Sequence, residues 1–139
     1  MKIVRSVLAV LAGLVTLTVV SLALEAAANP LLMHAFPAAL PNEAALSQNV
    51  PARLLTLLLT MASVAVGGYV TAWIASGAAA RHAVIMGGIE VLMTIAAMLV
   101  LQDKAPLWSW IAAIVLIVPA AWLGSRVRLH SSVAPRPAT

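Results

Sequence analysis

Four apolar stretches, residues 6–28, 54–76, 83–101 and 105–124, occupy most of the chain and leave little else to build with. Each is about as long as a helix rising 1.5 Å per residue must be to cross a hydrocarbon layer roughly 30 Å thick. Backbone N–H and C=O groups in lipid have no water to bond, so a single spanning segment must be a helix that satisfies them internally. The expected fold is therefore all-α: a polytopic membrane protein forming one domain over residues 1–139. It is an antiparallel bundle of four transmembrane helices with one longer extracytoplasmic loop between the first and second. A soluble fold is excluded by the scarcity of charge, 9% of 139 residues, against about 25% in soluble domains.

The same composition removes several chemistries. With no cysteine there is no disulfide framework, no thiolate nucleophile and no cysteine-ligated metal. The net charge of +4 comes from scattered basic residues rather than from a basic face, so nucleic acid is not an expected partner. The expected partners are the lipid bilayer and, within it, other membrane subunits or a second copy of the chain.

Along the chain, the first stretch carries Glu25 near its end and is expected to stop at Asn29-Pro30, because proline disfavours helix at the residue before it. The basic start Met1-Lys2-Ile3-Val4-Arg5 and the small residues Ala26-Ala27-Ala28 also fit a secretory signal. The run exceeds the usual apolar core of roughly 7–15 residues, which favours a retained helix. The loop that follows is punctuated by Pro30, Pro37, Pro41 and Pro51, with Asn42 placed to cap a short helix reaching Ser47. His34 and Glu43 lie in this loop, but two ligand types without a third make no metal site. No cofactor is expected.

In the second stretch small residues recur at every fourth position as Gly68, Ala72 and Ser76, and again as Ser63 and Gly67. Such stripes let neighbouring helices approach closely. Gly67-Gly68 is not a phosphate loop, since no strand pattern precedes it and no Gly-Lys-Ser/Thr follows. Gly77 is the expected stop, and a short turn with Arg81 and His82 leads to the third stretch, where Gly87 and Gly88 are further packing positions. In the fourth, Trp108 and Trp110 mark one interface and Trp122 the other. Pro119 within that helix cannot bond the carbonyl of Val115. Arg126 and Arg128 end the span, and residues 129–139 read as a flexible tail.

Four spans put both termini on one side. Lys2, Arg5, Arg81, Arg126, Arg128 and Arg136 share that side against Arg53 and Lys104 on the other, which makes the termini cytoplasmic. The segments Gly67-Gly68-Tyr69-Val70-Thr71-Ala72, Arg81-His82-Ala83 before Gly87-Gly88, and Pro119-Ala120-Ala121-Trp122-Leu123-Gly124 before Arg126 resemble a group of uncharacterised small bacterial four-span membrane proteins. The resemblance implies a bacterial cytoplasmic membrane and brings no activity, cofactor or catalytic residue with it. Glu90 is not part of the shared pattern.

Glu90 is the one charged residue inside the third stretch, and a charge at that depth faces protein or water rather than lipid. Counting seven residues inward from Ala83 places it about 10 Å below the cytoplasmic boundary. The same count from the ends of the neighbouring stretches reaches Tyr69 and the Pro119 region, so a shared polar layer of Glu90, Tyr69 and the freed backbone near Val115 is expected. No two side chains with acid, base or nucleophile character share a helical face at catalytic spacing, since His82 and His130 fall near the interfaces. Enzymatic activity is not expected. A structural or accessory membrane subunit is the favoured class, with Glu90 as a neutral hydrogen-bonded lock between helices. An oligomeric small-molecule or proton-coupled transporter using Glu90 is the alternative.

Overall fold

A computed structural model describes residues 1–75 and 77–131. Five α-helices follow one another: α1 (Lys2–Ala35), α2 (Glu43–Gln48), α3 (Val50–Ile74), α4 (Ala79–Leu101) and α5 (Leu107–Ser131), with a 3-10 turn at Gln102–Lys104 before the last. α1, α3, α4 and α5 are long and apolar enough to cross a membrane, and α2 lies in the connection between the first two spans. The all-α, four-span expectation holds.

Helix ends differ from the expected ones where packing outweighs a local stop signal. α1 runs through Asn29-Pro30 to Ala35. Proline there forfeits the bond to the carbonyl of Ala26, an exposed residue near the helix end, and the turn beyond it is held because Leu32 and Met33 pack on Leu40, Leu46 and Ala52. At 34 residues, α1 is about 51 Å long and rises well clear of a 30 Å core. α5 likewise passes Gly124 and continues to Ser131, so residues 129–131, expected as tail, are helical. The rest of that tail, 132–139, and Ser76 of the expected small-residue stripe lie outside the described residues.

Caps form where the sequence supplies them. Asn42 Oδ1 accepts from the Ala45 N–H at 2.9 Å and Asn49 Oδ1 from the Ala52 N–H at 3.1 Å, starting α2 and α3. Between α3 and α4 the left-handed residue is Ala78, with φ 46°, and not Gly77, which keeps an ordinary φ. A Cβ in that region costs roughly 1–2 kcal/mol.

α3 is the central helix, packed most extensively on α5 and α1, while α4 leans mainly on α5. The two adjacent glycines of α3 serve different neighbours. A Cβ on Gly67 would meet Gly13 O at 2.8 Å and Leu17 Cβ at 2.9 Å, both on α1. A Cβ on Gly68 would meet the Ala121 carbonyl carbon at 2.9 Å, and one on Gly124 the Ala65 carbonyl carbon at 2.7 Å, so α3 and α5 cross through Ala65-x-x-Gly68 against Ala121-x-x-Gly124. Ala72 is buried, and a Cβ on Gly87 would meet Ala121 Cβ at 3.1 Å and Val118 Cα at 3.4 Å, both on α5. Gly88 has open space around it and Pro119 is exposed, so these two expected packing positions hold no neighbouring helix. The core at this level is Val10, Leu17, Val64, Met86, Ile117 and Ala121.

Candidate functional site

Polar residues on three long helices fall on one face each by helical spacing: Ser21, Glu25 and Asn29 on α1, Arg53, Thr56 and Thr60 on α3, Glu90 and Thr94 on α4. All of these except Ser21 line a cleft that enters the bundle from the side of the α1–α2 connection. Its outer part, of about 540 Å³, is bounded by Glu25 and Asn29 of α1, Glu43 of α2, Arg53 of α3, and Asp103 and Lys104 of the 3-10 turn. Its inner part, of about 150 Å³, shares Glu25, Arg53 and Thr56 with the outer one and continues past Thr60 and Trp110 to Glu90 and Thr94. Eleven residues separate Glu90 from Leu101, which puts the inner end about 16 Å from the helix terminus, close to mid-membrane depth.

The charges of the cleft are held on separate walls. Arg53 donates from Nε to Ser109 Oγ at 3.1 Å, and that hydroxyl donates in turn to the Pro106 carbonyl at 2.8 Å, tying the guanidinium to the start of α5. Glu25 accepts from Ser21 Oγ at 3.3 Å, one turn back on its own helix. Two further polar atoms at the walls, Trp110 Nε1 and Asn29 Oδ1, are buried without a protein hydrogen-bond partner among the described residues, although buried polar groups are nearly always bonded.

Below Glu90 the bundle is closed. Met86 and Thr71 are 0% exposed, and Thr71 Oγ1 donates to the Gly67 carbonyl at 2.9 Å and lies 3.3 Å from Met86 Sδ. Gly13 of α1 completes the layer, because a Cβ there would run into Thr71 Oγ1 and reach Met86 Sδ at 2.8 Å. The cleft is a blind pocket, open toward the loop and sealed toward the termini.

The expected layer of Glu90, Tyr69 and freed backbone near Val115 is not assembled. Tyr69 is 36% exposed and borders a shallow apolar depression with Ala65, Val66, Gly124 and Val127. It lies nine residues from Thr60, which at about 100° per residue is half a turn away from the face that meets Glu90. Val115 is 63% exposed, and α5 faces the cleft with Trp110, Ala113 and Ile117 instead. Depth alone suggested the layer; azimuth rules it out. Glu90 accordingly stands at the wall of a pocket rather than locked to a tyrosine. The Arg53/Thr56/Thr60 and Ser21/Glu25/Asn29 stripes carried the missing signal, since each repeats polar residues three or four apart on an otherwise apolar helix.

Of the remaining candidates, Glu43 lines the outer cleft while His34 is exposed outside it. Among the described residues no three His, Asp or Glu side chains stand close enough to hold a metal ion. Trp110 lines the inner cleft, and Trp122 stacks under the Arg126 guanidinium at 4.7 Å. No known protein family, curated protein or solved structure matches the chain. The chain is a bundle with four helices long and apolar enough to span a membrane, and that description rests on the helices themselves.

Proposed function

We propose that this protein is a small multi-pass membrane subunit without catalytic activity of its own, whose working part is the blind polar cleft that ends at Glu90. The observation that carries the reading is a carboxylate placed at the inner end of a polar pocket near mid-membrane depth, where the energetic cost of an ionisable group is tolerated for a functional return. A polar pocket open on one side suits binding or sensing. Transport by a single copy would require a path through the Met86–Thr71 layer, and the close packing there argues against it.

The placement proposed is a bacterial cytoplasmic membrane with both termini inside and the cleft opening outside. It is supported by Arg5, Arg81, Arg126 and Arg128 on the side of the termini against Arg53 and Lys104 on the other. Lipid-facing leucines and valines of α4, such as Leu92, Leu99 and Val100, leave room for neighbouring subunits or a second copy.

Trp110 reports on the cleft directly. In protein whose Trp73, Trp108 and Trp122 are replaced by Phe, Trp110 emission should change with pH, and Glu90→Gln should remove that change while leaving the fold intact. Emission that is independent of pH, or a pH response that survives Glu90→Gln, would refute the reading.

A further inference from the structure

The outer and inner parts of the cleft share a stretch of wall. Glu25, Arg53 and Thr56 line both cavities, so these side chains border the neck through which a molecule from the loop side reaches Glu90. Thr56 donates its hydroxyl to the Ala52 carbonyl at 3.1 Å on its own helix. That leaves the two charged side chains, one on α1 and one on α3, as the groups placed to act across the neck. Both are half-buried.

The two charges feel each other while each is hydrogen-bonded elsewhere. Glu25 acts electrostatically on Arg53, yet its carboxylate accepts from Ser21 on α1, and Arg53 Nε donates to Ser109 on α5. The two holds are unequal. At 3.3 Å the Ser21–Glu25 bond is long for an O–H···O contact, which favours roughly 2.5–3.0 Å. Arg53 is held by a hydroxyl that is itself fixed to the Pro106 carbonyl, and its Nη N–H groups have no protein acceptor among the described residues. Glu25 is therefore the movable member. Turning from Ser21 to the Arg53 Nη groups would exchange a long bond to a neutral hydroxyl for a charge-assisted pair, whose attraction strengthens away from bulk water, and would lay that pair across the neck. We propose that Glu25 gates the inner cleft, open when its carboxylate rests on Ser21 and closed when it pairs with Arg53. The gate rests on the reading of the cleft given above, since it controls access to Glu90.

The test is the rate at which Thr94→Cys, in the inner cavity of a chain without other cysteines, reacts in mild detergent. An anionic sulfonatoethyl and a cationic trimethylammonioethyl methanethiosulfonate serve as paired reagents. Ser21→Ala removes the hydroxyl that holds the gate open and should slow both reagents by about two- to tenfold, the weight of one hydrogen bond. Glu25→Gln and Arg53→Gln each remove half of the closed pair, so both reagents should react at least as fast as with the parent, and adding Ser21→Ala should then change nothing. Met86→Cys should stay unreactive in the same backgrounds, which separates gating from loosening of the bundle; if Arg53→Gln loses thermal stability, the Glu25→Gln series reads the same coupling. An unchanged rate in Ser21→Ala, or the same slowing by Ser21→Ala with and without Glu25, would overturn the gate. So would opposite shifts for the two reagents, the mark of a fixed charge filter. A reactive Thr94→Cys indifferent to all three substitutions would remove the gate and leave the cleft standing, whereas a Thr94→Cys unreactive in every background would remove both.

Discussion

Replacing Gly68 with alanine puts the packing of α3 on α5 to its sharpest test. The added Cβ would lie 2.9 Å from the carbonyl carbon and 3.0 Å from the Cα of Ala121, and closer still to the Ala121 oxygen. Carbon atoms rest about 3.5–4.0 Å apart, so the two helices must part locally by at least about 0.6 Å. Backbone on both sides of the contact leaves no side chain free to swing away. Overpacking of this kind costs about 1–3 kcal/mol, partly offset by the gain of up to about 1 kcal/mol that alanine brings over glycine in a helix. Gly88→Ala is the matched control, because open space surrounds Gly88 and only the propensity gain applies. Equilibrium unfolding in mixed detergent should place Gly68→Ala below the parent by about 1–2 kcal/mol and Gly88→Ala level with or above it. Equal stability of the two variants would refute the close crossing of Ala65-x-x-Gly68 on Ala121-x-x-Gly124.

Two further outcomes follow from particular residues. Ala78→Gly should stabilise the protein by about 1 kcal/mol in the same assay, because the left-handed backbone at Ala78 penalises a Cβ; a loss of stability would show that the turn adopts another conformation. Asn42→Ala should remove the side-chain cap of α2, costing about 0.5–2 kcal/mol locally, and should appear as faster amide exchange at Ala45 and Leu46 with α3 and α5 unaffected.

The four spans were legible from the apolar runs alone, because lipid permits no other backbone for a single segment of that length. The cap at Asn42 was legible as well, from an extended proline-rich loop meeting a short run of helix formers. Helix ends were harder. Pro30 is a local stop signal, overridden by contacts between residues far apart in the chain, Leu32 and Met33 on Leu46 and Ala52, and the fourth helix runs past Arg126 and Arg128 to Ser131. The polar site was half legible. Glu90 was found by its charge and depth, but its partners depend on which way each helix is turned. A count of residues from the membrane boundary carries no azimuth, so Tyr69 was drawn in and Thr56, Thr60 and Trp110 were left out.

With a blind polar cleft, water-soluble molecules should reach the level of Glu90 from the loop side and go no further. A chain without cysteine allows that to be measured with single-cysteine variants and a membrane-impermeant thiol reagent in sealed vesicles of known orientation. Thr56→Cys, Thr60→Cys and Thr94→Cys should react from the loop side, while Met86→Cys in the sealed layer and Leu92→Cys on the lipid-facing surface should not. Unreactive cysteines at positions 60 and 94, or labelling of Met86→Cys from either side, would contradict the blind polar cleft.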